Sequence, residues 1–424
     1  MVMHLKGENH MGQTLTIIKD FYRSKYAKAG TVALALLMAA FVVIGFQQQQ
    51  SSAAIGGPTC NVPADYATIQ AAVDAVGCTT VKVAPGNYTE SVSVARAVNI
   101  KGAKAGVNVN SRTFGSTAES KVTGATGAVF TVNAADVTID GFSLTNPGQG
   151  LGVVVKTPGD HAFIKNNIVD TIGGATYAPN AVGIYLELGP DSVKVVSNKL
   201  TNIESVASAQ GVLVGDSTSS NPSLDILLKK NTISKVTSTR GAYGIQLNNG
   251  ASTAPTATGY TEARVIDNEI KDLKGDWAHG IGLEGETPNV VVTYNTVSNL
   301  TDVNSTSIND AIAVFFESNP FFFTAEVNRN SIAVGPTAYG IAVHPALTLQ
   351  YSSLNLDGEC NWWGAANGPG AIGTGNGSLV SAGVDYTPWL RSNDLDRRCD
   401  NKSHGHNSDD HHFGRDNDWW DKRD

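Results

Sequence analysis

Three side chains that could perform acid–base chemistry occur at related positions of a repeating sequence pattern. His279 directly precedes the phrase Gly280-Ile-Gly-Leu-Glu284, and Asp310 precedes the equivalent phrase one repeat later. If each repeat is one coil of stacked strands, neighbouring coils are about 4.8 Å apart, so His279 and Asp310 can touch. A His oriented by a carboxylate can act as a base, and two carboxylates about 5–10 Å apart suit glycoside hydrolysis. The candidate catalytic residues are therefore His279, Glu284 and Asp310.

The same positions in other repeats supply polar and aromatic side chains to which a sugar could bind. A lyase acting on a uronate would also need carboxylates or Ca²⁺ to neutralise its substrate, so Ca²⁺ in this groove is a candidate cofactor. The alternative is that these are solvated side chains of an exposed sheet, which is where most polar residues lie. The candidate substrate-binding residues are Glu187, Tyr243, Gln246, Asn248, Tyr339 and His344.

Two short phrases recur seven times, and their spacing predicts the fold. One phrase is Gly or Ala followed by alternating apolar residues, and the other ends in an Asn before a second β-prone stretch. The Asn residues are 31, 33, 37, 27, 35 and 31 positions apart, a period typical of a solenoid. The first phrase begins at Gly152, Gly183, Gly211, Gly244, Gly280, Ala311 and Gly340, and the Asn residues are Asn167, Asn198, Asn231, Asn268, Asn295, Asn330 and Asn361.

Alternating apolar positions are typical of strands, and strands that return after each full circuit stack in parallel. A third apolar stretch, such as Leu200–Ile203, predicts three parallel sheets around one apolar column, which is an all-β parallel β-helix. A leucine-rich repeat would need Leu at fixed positions, and a propeller blade would need about 40–45 residues. We expect the recurring Asn to tolerate the left-handed conformation of a sharp turn and to form a side-chain ladder between coils.

Alignment of the Gly phrases predicts which side chains face outward. The fifth residue of each phrase forms one outward column, with Lys156, Glu187, Asn248 and Glu284, and the third residue forms a second. The residue directly before the phrase gives a third set, Gln210, Tyr243, His279, Asp310 and Tyr339. Strict alternation points this third set into the core, and it faces solvent only if each strand begins at the Gly.

Two segments resemble known β-helix proteins. The stretches Tyr66–Val76 and Val81–Glu90 resemble the opening of pectin-lyase-like proteins, including pectin methylesterases. The segment Asn361-Trp-Trp-Gly-Ala-Ala-Asn-Gly-Pro369 with Val384-Asp-Tyr-Thr-Pro-Trp-Leu390 resembles the closing coil of exported bacterial β-helix proteins. This resemblance implies a right-handed parallel β-helix. The catalytic motifs of pectin methylesterases and polygalacturonases do not occur in this sequence, so the resemblance carries no pectinase activity.

The ends of the solenoid need caps, because a terminal coil would expose an apolar cross-section and unpaired strand edges. A helix over 68–76 would present Ile69, Ala72, Val73 and Val76 along one face, as an amphipathic plug does. Four Cys allow three pairings, and four free thiols are the alternative. We favour Cys60–Cys78 and Cys360–Cys399, since each pair would fasten one end.

The two termini differ from the repeats. Basic residues precede the uncharged run 29–46, and Ser52-x-Ala54 fits a cleavage site, so 1–54 is predicted to be a signal peptide or a membrane anchor. Residues 55–399 form the β-helix domain, and 400–424 form a His- and Asp-rich tail. This tail is either a disordered terminus or a site for Zn²⁺ or a similar transition metal. The candidate ligands are His404, His406, His411 and His412.

Composition narrows the function further. The formal net charge of −8 and the absence of a basic stripe argue against nucleic-acid binding. We therefore predict an extracellular or cell-surface β-helix protein that binds polysaccharide without the known pectinase chemistry. The alternatives are a polysaccharide lyase or glycoside hydrolase acting on one sheet face, and a structural or adhesive stalk, with a possible tether through 29–46.

Overall fold

The computed structural model describes residues 58–187, 189–215, 223–249, 262–285, 289–303, 310–315, 325–343 and 356–399, with only the backbone for 249, 285 and 313–315. Every statement below concerns these residues. The predicted segments 1–54 and 400–424 lie outside them, so the two terminal assignments stay predictions. Within the described ranges, no helix has both the length and the apolar character that a membrane crossing requires.

The chain forms a right-handed parallel β-helix, a fold predicted by the repeat and a handedness implied by the resemblance, with three parallel sheets whose strands are numbered in chain order. From β2 to β25, each coil contributes one strand to sheet 1, then one to sheet 3, then one to sheet 2. Sheet 1 contains, in spatial order, β1 (Thr59–Val62), β2 (Thr80–Val83), β5 (Val98–Lys101), β8 (Val137–Asp140), β11 (Phe163–Lys165), β14 (Lys194–Val196), β17 (Ile226–Lys229), β20 (Ala263–Ile266), β23 (Val290–Thr293), β26 (Glu326–Asn328), β28 (Leu356–Asp357) and β31 (Val384–Asp385).

Sheet 2 carries the Gly phrases, and sheet 3 carries the third apolar stretch of each repeat. Sheet 2 contains β4 (Val92–Val94), β7 (Phe130–Val132), β10 (Leu151–Lys156), β13 (Ala181–Glu187), β16 (Ser208–Val214), β19 (Gly241–Asn249), β22 (Trp277–Gly285), β25 (Asp310–Phe315), β27 (Tyr339–Val343), β30 (Leu379–Val380) and β29 (Gly370–Ala371). Sheet 3 contains β3 (Gly86–Thr89), β6 (Ser120–Thr123), β9 (Ser143–Pro147), β12 (Ile168–Gly173), β15 (Lys199–Ser205), β18 (Thr232–Ser238), β21 (Glu269–Gly275) and β24 (Thr296–Asp302).

The three sheets enclose one apolar column. Ile184 of sheet 2, Val195 of sheet 1 and Leu200 of sheet 3 are each fully buried and belong to this core. Their equivalents in the other coils stack above and below them, because the parallel register keeps the same positions in line. Burial of each such aliphatic side chain contributes about 1.5–3 kcal/mol, so the stability of the solenoid accumulates coil by coil.

The Asn ladder forms as predicted, but the left-handed residue is a different one. Asn198 donates from its backbone N and its Nδ2 to Oδ1 of Asn231, at 3.0 and 3.1 Å, and from Nδ2 to the carbonyl of Ile164 at 2.8 Å. The positive φ falls on the residue before each Asn, for example Ser197 at 56°. The expectation that the ladder Asn itself adopts this conformation was wrong, because its side chain is committed to the ladder. The residues with positive φ are Asn166, Ser197, Lys230, Asp267, Tyr294, Arg329 and Cys360.

The alternation of inward and outward side chains is interrupted at the Gly of each phrase, in the same position in every coil and without a change of register. We call this stacked irregularity the bulge, and it changes which residues face outward. The pairing of β13 with β16 joins Val182 to Gln210 and Ile184 to Val212, and skips Gly183 between them. A Cβ on Gly183 would lie 2.7 Å from Leu200 Cδ2 and 2.8 Å from Ile203 Cδ1, so this position faces the core together with Ile184. Two successive inward positions shift the alternation, and the residue before the Gly therefore faces outward.

Both ends are closed as predicted, with one exception. Helix α1 (Ile69–Asp74) begins after Thr68, whose Oγ1 accepts from Ala71 N at 3.1 Å, and it buries Ile69, Ala72 and Val73. Val76 is 86% exposed, so its predicted place on the buried face was wrong, because the helix ends at Asp74. The disulfides are Cys60–Cys78 and Cys360–Cys399, with Cα–Cα distances of 5.5 and 5.4 Å.

A buried ion pair covers the beginning of the Asn ladder. Arg112 Nη2 lies 2.6 Å from Glu119 Oε2, with side-chain exposures of 2% and 1%. Arg112 also donates to the carbonyl of Phe142 at 3.0 Å and to that of Asn166. Ser143 Oγ donates to Glu119 Oε2 at 3.1 Å. These bonds satisfy both charged groups and the turn carbonyls that precede Asn167, the first residue of the ladder.

Candidate functional site

The predicted catalytic pair lies in one column on the outer face of sheet 2. Residues directly before the Gly phrases pair from strand to strand, with Gln210 opposite Tyr243, Tyr243 opposite His279, His279 opposite Asp310 and Asp310 opposite Tyr339. Although their strands begin before the Gly, the stacked bulge turns this column outward. The expectation from strict alternation was therefore wrong. We call these five residues the pre-glycine column.

Four members of the pre-glycine column are buried although they belong to the outer face. Gln210, Tyr243, His279 and Asp310 are all buried, whereas Tyr339 is partly exposed. None of the four belongs to the apolar core cluster inside the sheets. They therefore form a polar and aromatic layer outside the core, beneath the surface of the protein.

His279 and Asp310 contact each other within this layer. His279 Nδ1 lies 3.4 Å from Asp310 Oδ2, and the side chains are 4% and 7% exposed. This distance suits an ion pair but is longer than a well-formed hydrogen bond. Asp310 Oδ1 is buried with no hydrogen-bond partner in the structure. A buried carboxylate oxygen without a partner disfavours the ionised form of Asp310.

Burial raises the pKa of Asp310 above its ordinary value of 3.8, and the nearby imidazole of His279, which can carry a charge, opposes this rise. A carboxyl group that retains its proton at higher pH is suited to act as an acid. The contact between the two residues is the one expected from the sequence, but the raised pKa favours Asp310 as an acid rather than as the carboxylate that orients a His279 base.

Aromatic rings pack beside the pair. The ring centroids of Tyr243 and His279 are 5.1 Å apart, and Trp277 Nε1 donates to Tyr243 Oη at 3.1 Å. Gly241 makes room for the indole, because a Cβ there would lie 2.5 Å from Trp277 Nε1. Trp277 was not among the candidate site residues, because it lies two residues before His279 and outside the aligned phrase.

Glu284 is the partly exposed carboxylate of the site, and two amides hold it in place. Gln246 Nε2 donates to Glu284 Oε2 at 2.8 Å, and Asn248 Nδ2 donates to the same oxygen at 3.1 Å. Gln210 Nε2 extends this network to Gln246 Oε1 at 3.2 Å. Gln210 was aligned in the pre-glycine column but was not among the candidate site residues. A carboxylate that accepts two amide hydrogen bonds is held in one orientation.

Gly282 forms the floor between the aromatic residues and Glu284, and the Tyr243 ring lies against it. A Cβ at this outward position would lie 3.2 Å from Tyr243 Cδ1 and 3.7 Å from Glu284 Oε1. The absence of a side chain at Gly282 therefore lets the Tyr243 ring and the Glu284 carboxylate approach each other. We call Gly282, Tyr243, Glu284, Gln246 and Asn248 the glycine-floor site.

The structure pairs Asp310 with His279 rather than with Glu284. Asp310 lies opposite His279, and Glu284 lies opposite Phe315, five positions farther along the strand (284 − 279). Five positions correspond to about 16 Å between Cα atoms along the strand. The two predicted carboxylates are thus at opposite ends of the site, and the space between them is occupied by the Tyr243 and Gly282 positions.

The remaining predicted residues lie elsewhere. Glu187 forms an ion pair with Lys156 at 3.0 Å, three coils before Glu284 in the same column. Tyr339 is one coil beyond Asp310 and partly exposed. His344 lies outside the described residues, as do the four His residues of the tail.

Metal binding is not supported within the described ranges, where no group of three or more His, Cys, Asp or Glu residues is arranged to hold an ion. The predicted Ca²⁺ would need several oxygen ligands. In the glycine-floor site the carboxylate of Glu284 faces amide donors instead. Ca²⁺ in the groove and a transition metal at the tail stay predictions.

Two solved structures are similar to part of this chain. No protein-family model and no curated protein matches the chain. A solved structure of ORF18 from Geobacillus virus E2 is similar, with a TM-score of 0.33 and 13% identity, over 61% of this chain and 55% of that one. The Dettilon tailspike protein (gp208) is similar with a TM-score of 0.31 and 12% identity, over 62% of this chain and 57% of that one. The chain matches little more than half the length of each, and these values carry no functional argument.

Proposed function

We propose that this protein is an exported β-helix protein that binds a polysaccharide on the outer face of sheet 2, at the glycine-floor site. The observation that carries the proposal is the partly exposed Glu284 carboxylate, held in one orientation by Gln246 and Asn248 beside Gly282. Hydroxyl groups of a sugar can donate hydrogen bonds to such a fixed carboxylate.

The charge of the site favours a neutral glycan. Among the described residues, the carboxylates and the imidazole at the site are Glu284, Asp310 and His279. Lys156 lies farther along the column that contains Glu284, and it forms an ion pair with Glu187. A uronate would bring a negative charge next to Glu284, and like charges repel strongly where water is partly excluded. Binding of a uronate-rich polymer therefore requires a neutralising cation such as Ca²⁺.

Two disulfides support the exported location. Cys60–Cys78 and Cys360–Cys399 fasten the two ends of the β-helix, and such bonds form and persist in oxidising compartments. Polysaccharides of cell surfaces are available in the same compartments. The finer relationship to pectin-lyase-like proteins stays a prediction, carried by the sequence segments at the two ends.

A binding experiment tests the proposal directly. The full chain is applied to an array of neutral and uronate-rich polysaccharides, and affinities are then measured by calorimetry. We expect binding to a neutral glycan that falls at least about tenfold in Glu284→Gln, which loses a charged acceptor, and is abolished in Gly282→Leu, which fills the floor. The control is Glu269→Gln, which makes the same substitution at an exposed residue of sheet 3. Unchanged affinity in both site variants would exclude this site.

A second candidate function is cleavage of the bound glycan, with His279 and Asp310 as acid–base residues; Glu284 is too far from Asp310 to be the second carboxylate of a glycoside hydrolase. The raised pKa of Asp310 favours this function, because an acid must hold a proton to donate it. New reducing ends from a neutral glycan would support hydrolysis, and products absorbing in the ultraviolet would indicate a lyase. Activity that persists in both His279→Gln and Asp310→Asn would exclude this pair as the catalytic residues.

A further inference from the structure

The outer face of sheet 1, away from the glycine-floor site, has an ordered charge pattern. Each central strand of this sheet presents two outward side chains, which stack into two columns through the parallel register. The first column is Phe163, Lys194, Leu227, Arg264, Val291, Glu326, Asp357 and Asp385, and the second is Lys165, Val196, Lys229, Ile266, Thr293 and Asn328.

The two halves of this face have opposite charge. Four successive strands, β11, β14, β17 and β20, each carry one cation, and β26, β28 and β31 each carry one anion in the first column. Strand β23 between them carries only Val291 and Thr293. The chain as a whole has a formal net charge of −8, so the basic half is a local feature.

Each basic strand also carries an apolar side chain on the same face. The cations Lys165, Lys194, Lys229 and Arg264 share their strands with Phe163, Val196, Leu227 and Ile266, respectively. All of these side chains retain part of their surface. A partly exposed apolar row with charged neighbours is typical of a protein–protein contact.

The charges are antisymmetric about β23. Arg264 is one coil before this strand and Glu326 is one coil after it, and both belong to the first column. Lys194 and Asp385 are three coils away on opposite sides, also in the first column, whereas Lys229 and Asp357 are two coils away but in different columns. A two-fold axis parallel to the strands, passing over Val291, therefore brings Arg264 opposite Glu326 and Lys194 opposite Asp385 of another copy, with Lys229 diagonal to Asp357.

We infer that two copies of this chain associate through the outer faces of sheet 1, with the order of the coils reversed between them. The contact is isologous, since the same patch serves both copies. Val291 lies at its centre, with the pair Arg264 and Glu326 one coil away and the pair Lys194 and Asp385 three coils away. Two side chains per strand make a narrow interface, so the dimer is weak and sensitive to salt.

Three carboxylates lie close together in the acidic half, beside the charge pattern described above. Burial raises the pKa of Glu359, and the charges of Asp357 and Asp385 raise it further. The repulsion among these carboxylates is thus incompletely compensated within one chain. The basic half of a second copy would relieve it.

A charge exchange tests the interface. The full chain and its variants are examined by sedimentation velocity over a range of concentrations at low salt. Lys194 and Asp385 are chosen because Arg264 already pairs with Asp225 of its own chain at 2.8 Å. We expect the wild type to approach twice 44.4 kDa with rising concentration. Lys194→Glu alone and Asp385→Lys alone should each weaken association at least about tenfold, since each repels its counterpart twice.

The double variant decides the question. Lys194→Glu with Asp385→Lys restores opposite charges across the two-fold axis, so association should return to within about threefold of the wild type. Lys199→Glu changes a partly exposed lysine on sheet 3 and should leave association unchanged. A monomer at all concentrations would overturn the inference, as would association that is insensitive to the single changes. Failure of the double variant to recover would also overturn it. If the chains associated through residues 29–46 or through the tail instead, association would be insensitive to the single changes.

Discussion

His279 Nδ1 lies 3.4 Å from Asp310 Oδ2 across two adjacent coils, on the outer face of sheet 2 and beneath the surface of the protein. The two residues are 31 positions apart in the sequence (310 − 279) and meet because the coils stack in register. Tyr243 packs on the imidazole from the preceding coil. The contact therefore depends on three consecutive coils rather than on any local sequence.

The pair should make stability depend on pH. Above 3.8, the ordinary pKa of Asp310, the unfolded chain releases a proton that the folded protein retains, because burial raises the pKa in the folded state. The folded protein therefore loses stability as the pH rises from 3.8 to the raised pKa, and the loss is complete above it. Asp310→Asn should not show this loss. Denaturant unfolding at a series of pH values measures the difference.

His279→Gln provides the companion measurement. The imidazole favours the charged form of Asp310, so its removal should extend the window of stability loss to higher pH. A pH profile that is the same in the wild type and Asp310→Asn would contradict the assignment of a raised pKa to this carboxyl.

Loss of one residue from the Asn ladder should destabilise the solenoid by about 3–4 kcal/mol, because several buried groups would lose their partners. The side chain of Asn231 accepts from Asn198 N and Nδ2 and donates to the Val195 carbonyl and Asn268 Oδ1. Urea unfolding of Asn231→Ala measures the cost. Asn87→Ala, on an exposed position of β3, is the control and should change stability by less than about 0.5 kcal/mol.

The Gly phrase should not tolerate a methyl group in the middle of the solenoid. A Cβ on Gly183 would lie 2.7 Å from the carbonyl oxygen of Gly211 and 2.7 Å from Leu200 Cδ2. We expect Gly183→Ala to lower the free energy of unfolding by about 1–3 kcal/mol. Thermal unfolding compares it with Gly77→Ala, where no atom lies within 4 Å of the added Cβ. Equal stability of the two variants would mean that the bulge accommodates a side chain.

The buried pair at the start of the ladder should show strong coupling. Arg112→Met would leave Glu119 charged and buried and should cost about 3–5 kcal/mol. Glu119→Leu would likewise leave Arg112 charged and buried without its partner. The double variant removes both charges, so we expect it to be more stable than either single variant. A double-mutant cycle from urea unfolding gives the coupling energy, and simple additivity of the two losses would argue against a dominant role for the pair.

The repeat was sufficient to predict the β-helix and the Asn ladder, because both depend on periodic positions. The end caps were predicted from the apolar spacing in 68–76 and from the positions of the four Cys residues. The outward direction of the pre-glycine column was not predictable from alternation. It results from the bulge at each Gly, and a bulge changes the alternation without changing the sequence period. The positive φ was predicted for the ladder Asn but belongs to the residue before it. The sequence does not distinguish the two, since either residue can make the turn.

The candidate site was predicted in part. Coil alignment brought His279 and Asp310 together correctly, since stacking in register depends on backbone pairing alone. The environment of Glu284 was not predictable, because the hydrogen bonds from Gln246 and Asn248 depend on side-chain rotamers. Trp277 was missed because it packs on Tyr243 from the coil after it, two residues outside the aligned phrase.

The stacked bulge also makes the outer surface of sheet 2 modular. Each coil contributes one residue to the pre-glycine column, and the inward Gly and Ile positions beside it are the same from coil to coil. The column can thus be lengthened only in steps of about 4.8 Å, by whole coils. A duplicated or exchanged coil would change the order of surface side chains while the core repeat continues unbroken. The side chains on the outer face of sheet 2 can therefore change one coil at a time, while the fold that supports them stays the same.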